Sequence, residues 1–329
     1  MIRFVKAGLS MICLALAFSS CEKGADSNQS VVTPPDPSDK SALNRLFSPL
    51  TSGIQEFSVT AGDSAIRYGF AGSKLTFYAN SFIGRDGKEI HEGKIDIRLI
   101  EIYNDGIMAA NRATTTHAGD LLKSVGMVWI KAYKNGEEIY PTRYGLGFRA
   151  TGPSTESRYL FLGNSNNEDS VLTWNPVDNL PGTFVGGTIV DSIQSTNHHL
   201  WQFDSTRHFG WIGAHQFFTS TAPKTNLEVV IKDDFYTAAN TQVYLLLPDL
   251  NGVTVFQKWR LWDTNAIFNL AEGYLVPANM PIKVVGLSNQ NGVYHFGKIE
   301  SGVSSATYTD TLNMTPMAVN DILWELLGL

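Results

Sequence analysis

The sequence predicts an all-β protein, with two antiparallel β-sandwich-like domains after a disordered tether and a short C-terminal helix. Apolar residues recur at every second position, and Asn-Gly or Asp-Gly pairs separate these segments. Such alternation is typical of strands with one buried face. Only 17% of the residues are charged, against 43% hydrophobic and 11% aromatic, which indicates a globular chain.

Residues 1–20 have the layout of an export signal. Arg3 and Lys6 carry positive charge, and the apolar stretch 9–18 is too short to span a bilayer. Small residues directly precede Cys21, and the segment resembles a bacterial lipobox with Phe18 in the place that usually holds Leu. This predicts cleavage before Cys21 and lipid attachment to that cysteine. The alternative is an ordinary secretory signal followed by an incidental cysteine.

Residues 21–40 are predicted to be a flexible tether. Between residues 22 and 39 there is no aromatic residue, and three prolines stand among Ser, Asp and Asn. A segment of this composition cannot bury a core. We therefore expect it to join the lipid to a folded body.

Cleavage changes the cysteine content and the charge of the chain. Cys13 is removed with the signal, so Cys21 becomes the sole cysteine, which excludes disulfides and a thiolate catalyst. Loss of Arg3 and Lys6 lowers the formal net charge from −6 to −8, which disfavours nucleic acid as a partner. The expected membrane attachment is through the N-terminal lipid alone.

Alternating segments and turns follow the tether. Apolar residues occupy every second position within residues 95–99, 227–231 and 243–247. Asn-Gly and Asp-Gly pairs accept the positive φ angles of tight turns, and they lie at 86–87, 105–106, 135–136, 251–252 and 291–292. The pair Asn135-Gly136 predicts a hairpin.

Turn-forming residues at 151–155 predict a domain boundary. The expected domains are residues 41–150 and 155–329, with a second break near Pro223. A closing helix is predicted at 315–327, with Thr315 as N-cap and Pro316 at the first helical position. Its apolar face is predicted to contain Val319, Ile322, Leu323, Leu326 and Leu327.

Several short motifs follow one another between residues 72 and 127. Residues 72–77 (GSKLTF) and 80–82 (NSF) precede a long segment that ends at Glu101. The next stretch of the chain continues the pattern with Thr116, Gly119, Leu121, Leu122, Gly126 and Met127. In this order the motifs resemble those of a family of uncharacterised Bacteroidetes cell-surface lipoproteins.

Residues 209–213 (FGWIG) and Phe217 are similar to a Gly-Trp-Ile-Asn signature of the same family, with Gly213 in the place of Asn. The resemblance implies β-sandwich domains and a lipid-anchored protein of the outer membrane. Exposure on the cell surface would require, in addition, that the anchored protein lies in the outer leaflet. It implies no catalytic residues.

Aromatic and histidine residues are concentrated between residues 198 and 218. This pattern favours a platform for a sugar or a peptide, or a set of core residues. The candidate ligand-binding residues, taken from this stretch and from residues 259–262, are Trp201, Trp211, Trp259, Trp262, His208 and His215.

A metal site is not expected, because His198 and His199 are adjacent and would point to opposite faces of a strand. No catalytic signature is recognisable, and no cofactor is expected. The sequence thus favours a non-enzymatic envelope protein with a structural or binding role, with a glycan or an envelope protein as partner. The alternative is a carbohydrate-active or other hydrolase whose site is assembled between domains.

Overall fold

A computed structural model describes residues 45–50, 53–150, 156–164, 171–190, 195–270, 276–303 and 308–329. The signal 1–20, Cys21, the tether 21–40 and the break at 151–155 lie outside the described residues. These described residues belong to one compact unit. The fold is all-β, with several antiparallel sheets and a short C-terminal helix, which confirms the predicted class.

The first half, residues 45–217, is built almost entirely from strands. Its elements are β1 (Gln55–Thr60), β2 (Ala65–Tyr68), β3 (Lys74–Phe77), β4 (Phe82–Ile83), β5 (Lys94–Ile102), α1 (Asp105–Ala110), β6 (Thr116–His117), β7 (Asp120–Lys134), β8 (Glu137–Pro141), β9 (Tyr144–Ala150), β10 (Tyr159–Asn164), β11 (Thr173–Pro181), β12 (Thr183–Val190), β13 (Ser195–Thr206) and β14 (Gly210–Phe217).

These strands form a sandwich of two sheets. One sheet has the order β1-β5-β7-β14-β10-β11, with β4, β6 and β8 attached beside it, and the other has the order β12-β13-β9-β3-β2. A hydrophobic core lies between them, in which Ile97 and Ile130 of the first sheet join Leu146 and Phe203 of the second. The alternation at 95–99 produces this packing, because Ile95, Ile97 and Leu99 are buried while the intervening residues are exposed.

The second half, residues 218–329, forms a further sheet, and two short strands pair separately. Its elements are β15 (Lys224–Thr225), β16 (Leu227–Lys232), β17 (Thr241–Leu247), a 3₁₀ helix (Pro248–Leu250), β18 (Gly252–Trp262), β19 (Asn265–Leu270), β20 (Val276–Pro277), β21 (Pro281–Gln290), β22 (Val293–Val303), β23 (Tyr308–Thr311), β24 (Thr315–Pro316) and α2 (Val319–Leu327). The sheet order is β23-β16-β19-β18-β17-β21-β22-β24, and β15 pairs with β20.

Strand β17 lies between two hydrophobic cores. Val243, Leu245 and Leu247 face the core of the second half. Tyr244 and Leu246 face a core that also contains Met127, Phe161 and other first-half residues. Every residue from Val243 to Leu247 is therefore buried. The two halves share one apolar core at their junction.

The chain passes from the sheets of the first half to the sheet of the second half at residues 218–226, close to the predicted break near Pro223. Strands on the two sides of 151–155 pair with each other, since β9 pairs with β13 and β7 pairs with β14. The predicted division at 151–155 therefore does not coincide with a division between sheets.

The predicted hairpin at Asn135-Gly136 is confirmed. Both residues have positive φ, and Lys134 pairs with Glu137 across the turn. The prediction of a turn at Asp105-Gly106 was wrong, because these residues begin helix α1. Asn104 is the reason, since its Oδ1 accepts a hydrogen bond from the Ile107 amide and caps that helix.

The predicted start of the C-terminal helix was also wrong. Thr315 and Pro316 form β24 and pair with Phe296 and His295 of β22, so the helix begins only at Val319. Its buried residues are Ile322 and Leu326, whereas Leu327 is 51% exposed and does not belong to the buried face. Among the described residues, no helix has both the length and the apolar character needed to cross a membrane.

Candidate functional site

A cleft of about 540 Å³ lies where the first half meets the second. We call it the junction cleft. Its walls come from β7, β9, β13 and the residues just before β10 on one side, and from the 3₁₀ helix on the other. The lining residues are Tyr103, Lys123, Ser124, Val125, Arg149, Ala150, Glu156, Arg158, Trp201, Pro248, Asp249, Leu250 and Asn251.

The second-half wall of the cleft is fixed by Asn251. This residue ends the 3₁₀ helix in the left-handed region, with φ 44°, a conformation that Asn tolerates better than most residues. Its side-chain amide donates to the carbonyl oxygens of Tyr103 at 3.2 Å and Ser124 at 3.4 Å. These bonds hold the turn against the first half, and they keep both walls in a defined position.

The Gly72-Ser73 stretch and Glu101 come together at the turn between β2 and β3, next to Tyr103 of the cleft. The Glu101 carboxylate is buried and accepts hydrogen bonds from the amides of Ala71, at 2.9 Å, and Ser73, at 2.8 Å. The Gln55 side-chain amide donates a third bond at 2.8 Å. A buried carboxylate needs such donors, so Glu101 closes the turn between β2 and β3.

Tyr103 continues this network to the cleft. Its hydroxyl lies 2.7 Å from the Ser73 hydroxyl and accepts a hydrogen bond from the Arg149 amide at 3.0 Å. Burial, together with the nearby negative charge of Glu101, raises the pKa of Tyr103. Tyr103 is therefore a neutral, fixed ring in the wall of the cleft.

Arg149 is oriented by packing rather than by an acidic partner. Its aliphatic stem lies along Gly72, where a Cβ atom would meet the Arg149 Cδ at 3.0 Å. Its guanidinium carbon lies 5.2 Å from the centre of the Tyr103 ring. No carboxylate of the described residues forms an ion pair with Arg149.

The other two cations of the cleft share one carboxylate. Glu156 accepts from Lys123 at 2.8 Å and from Arg158 at 2.7 Å, and these bonds hold its pKa below the usual range. Arg158 also donates to Gln216, and its guanidinium lies 5.6 Å from the centre of the Trp201 ring. Glu156 is thus a charged, paired group, unlike a general acid, which has to retain a proton.

The sequence-predicted residues of the 198–218 stretch lie in different places. Trp201 lines the junction cleft but is only 4% exposed. Trp211 is half-buried against the shared core, and His208 is exposed. His215 is fully buried beside Phe161 and Trp174, with no hydrogen-bond partner for either ring nitrogen among the described residues.

The two tryptophans at the end of β18 lie apart from the cleft. Trp259 is half-buried in the second-half core, and its indole N–H donates to the Tyr236 carbonyl at 3.1 Å. Trp262 is 61% exposed, with the Arg260 guanidinium 5.4 Å from the centre of its ring. The structure therefore does not bring the six predicted residues into one site.

No family model matches this chain, and no curated protein matches its sequence. In the part of the chain that the structure describes, no group of three or more His, Cys, Asp or Glu side chains is arranged to hold a metal ion. The arrangement of the junction cleft is suited to binding, since it combines a cavity with the oriented guanidinium of Arg149, which no carboxylate of the described residues pairs.

Sequence reasoning missed most residues of this cleft. Asn251 was recognised as a turn residue, but its bonds to Tyr103 and Ser124 join residues more than a hundred positions apart. Nothing in the sequence marked Arg149 as a site residue, because an arginine at a strand end is ordinary in a β-protein. Trp201 is the single predicted residue that lines the cleft.

Proposed function

We propose that this chain is a lipid-anchored envelope protein that binds a ligand in the junction cleft, without catalysing a reaction. The observation that carries the proposal is the cleft itself. Its volume of about 540 Å³ lies within the range of about 300–1,000 Å³ that is typical of small-molecule sites. Binding sites also occur preferentially where two packed units meet.

Binding is favoured over hydrolysis by the state of the cleft carboxylates. A glycosidase needs a pair of carboxyl groups, of which one retains its proton at working pH. Glu156 is held ionised by Lys123 and Arg158. This leaves Asp249 as the other carboxylate that lines the cleft. The hydrolase alternative would be supported if the protein released new reducing ends from a glycan that it retains.

The binding proposal is tested with an oligosaccharide array that carries neutral, acidic and amino sugars. We expect wild-type protein to retain one class, and Ala150→Trp to lose it, because the new ring would fill the cleft. Ala79→Trp adds the same ring at an exposed site outside the cleft and should bind as wild type. Equal retention by wild type and Ala150→Trp would contradict the proposal.

The exposed Trp262 provides a second surface that the same array can separate from the cleft. A sugar platform at this ring would lose retention in Trp262→Ala and keep it in Ala150→Trp. Trp262→Ala should leave the free energy of unfolding near wild type, because the side chain is largely exposed. Trp259→Ala is not suited to this test, since Trp259 packs in the core.

The lipid anchor has its own test. Cells that express the full chain are fed an alkyne-labelled fatty acid, and the membrane fraction is analysed for label and for protein. Wild type should carry the label and sediment with the membrane. Cys21→Ala should lose the label and appear in the soluble fraction, whereas a labelled or membrane-bound Cys21→Ala protein would contradict the anchor.

A further inference from the structure

We infer that the junction cleft recognises the carboxylate of an acidic saccharide through Arg149. This inference rests on the proposed function, because it names the ligand class of the same cleft.

Arg149 differs from the other arginine of the cleft in what holds it. Arg158 is committed to Glu156 and Gln216. Arg149 is held from beneath by Gly72 and by the ring of Tyr103, and no carboxylate of the described residues neutralises it. A guanidinium that is fixed without an acidic partner keeps its N–H donors for a ligand.

The support beneath Arg149 is rigid. Gly72 has φ +101°, a conformation that L side chains rarely adopt, and the absence of a side chain there gives the Arg149 stem its place. The Tyr103 hydroxyl is bound to Ser73 and to the Arg149 amide. Little conformational entropy should therefore be lost when the guanidinium binds, and a planar carboxylate can accept two parallel bonds from it.

The remaining charges of the cleft favour a saccharide over an acidic peptide. Asp249 on the second-half wall has no ion pair within the described part of the chain, whereas Glu156 is already paired with Lys123 and Arg158. Asp249 therefore needs hydrogen-bond donors, which a row of peptide carboxylates does not supply. A sugar acid carries one carboxylate per ring, and its hydroxyl groups can donate hydrogen bonds to Asp249.

The decisive experiment uses trigalacturonic acid as the probe and its methyl ester as the uncharged counterpart. Isothermal titration of the mature wild-type protein should detect the acid and not the ester. Arg149→Met should weaken binding of the acid about 10- to 100-fold, the usual effect of losing hydrogen bonds to a charged group. Arg149→Lys should recover only part of this affinity, because an ammonium group cannot make the two parallel bonds.

Arg143→Met is the matched control, since the Arg143 guanidinium also lies over an aromatic ring, 5.0 Å from the centre of Tyr78, but outside the cleft. It should bind the acid as wild type does. Equal binding of acid and ester, unchanged affinity in Arg149→Met, or no binding of the acid would overturn the inference. Tighter binding of triglutamate than of trigalacturonate would overturn the choice of a saccharide.

These outcomes are separate from failure of the proposed function. Retention of a neutral glycan that Ala150→Trp abolishes would leave the cleft as a binding site and remove the role of Arg149. Retention that Ala150→Trp leaves unchanged would contradict the cleft as the site, whatever the charge of the ligand.

Discussion

Gly213 shows how one small residue makes room for a buried ring. A Cβ atom at this position would lie 1.9 Å from the Nε2 atom of His215. The His215 ring cannot move aside, because its centre lies 5.3 Å from that of Phe161 and 4.7 Å from that of Trp174. This packing accounts for the glycine at position 213.

Gly213→Ala should therefore lower the free energy of unfolding by about 1–3 kcal/mol, the usual cost of overpacking a core. Chemical denaturation measures it. Gly53→Ala is the control, because nothing lies within 4 Å of a Cβ atom at Gly53. A Gly213→Ala protein as stable as Gly53→Ala would show that the His215 ring is free to move.

His215 should also make stability depend on pH. Burial, and then the positive charge of Arg158, lowers its pKa to about 3, whereas an unfolded histidine has a pKa of about 6.5. Between these values the unfolded chain binds more protons than the folded chain. Stability from this group is therefore complete above pH ~6.5 and is lost as the pH falls towards 3.

This loss can reach about 1.4 kcal/mol per pH unit. His215→Leu should flatten the decrease in unfolding free energy between pH 6 and 4, as followed by urea denaturation at a series of pH values. His208→Leu should keep the wild-type slope, because His208 is exposed. The same slope in both variants would mean that His215 is solvated or hydrogen-bonded in solution.

At the scale of elements, substitutions in α2 test which of its residues face the core. Ile322 is fully buried in the shared core, whereas Leu327 is 51% exposed. Ile322→Ala should reduce the free energy of unfolding by about 2–5 kcal/mol. Leu327→Ala should change it by no more than about 0.5 kcal/mol. Thermal or chemical denaturation measures both variants. Equal losses of unfolding free energy would show that Leu327 is buried, as the sequence predicted.

Elements that are determined by residues close together in the sequence were predictable. The alternation at 95–99 predicted a half-buried strand, and Asn135-Gly136 predicted a hairpin, because each depends on neighbouring residues. The start of α2 depends instead on the pairing of Thr315 with Phe296, a residue from another strand. The cleft was unpredictable for the same reason, since Arg149, Tyr103 and Asn251 meet only through the tertiary fold.

At the scale of the whole molecule, the shared core joins the two halves. Leu246 of β17 packs in this core with Met127 of β7 and Phe161 of β10, whereas Leu245 faces the core of the second half. Separation of the halves would expose apolar surface on both of them, at about 25 cal/mol per Å². We therefore expect the two halves to unfold together.

Hydrogen exchange measures this coupling residue by residue. Leu246→Ala should lower the protection of amides in β7 and in β21 by the same amount, about 2–5 kcal/mol, because both strands would open in one global step. A loss of amide protection confined to β21 would contradict joint unfolding of the two halves. Joint unfolding would also keep the walls of the junction cleft together until the whole protein opens, since β7 and the 3₁₀ helix flank it from opposite halves.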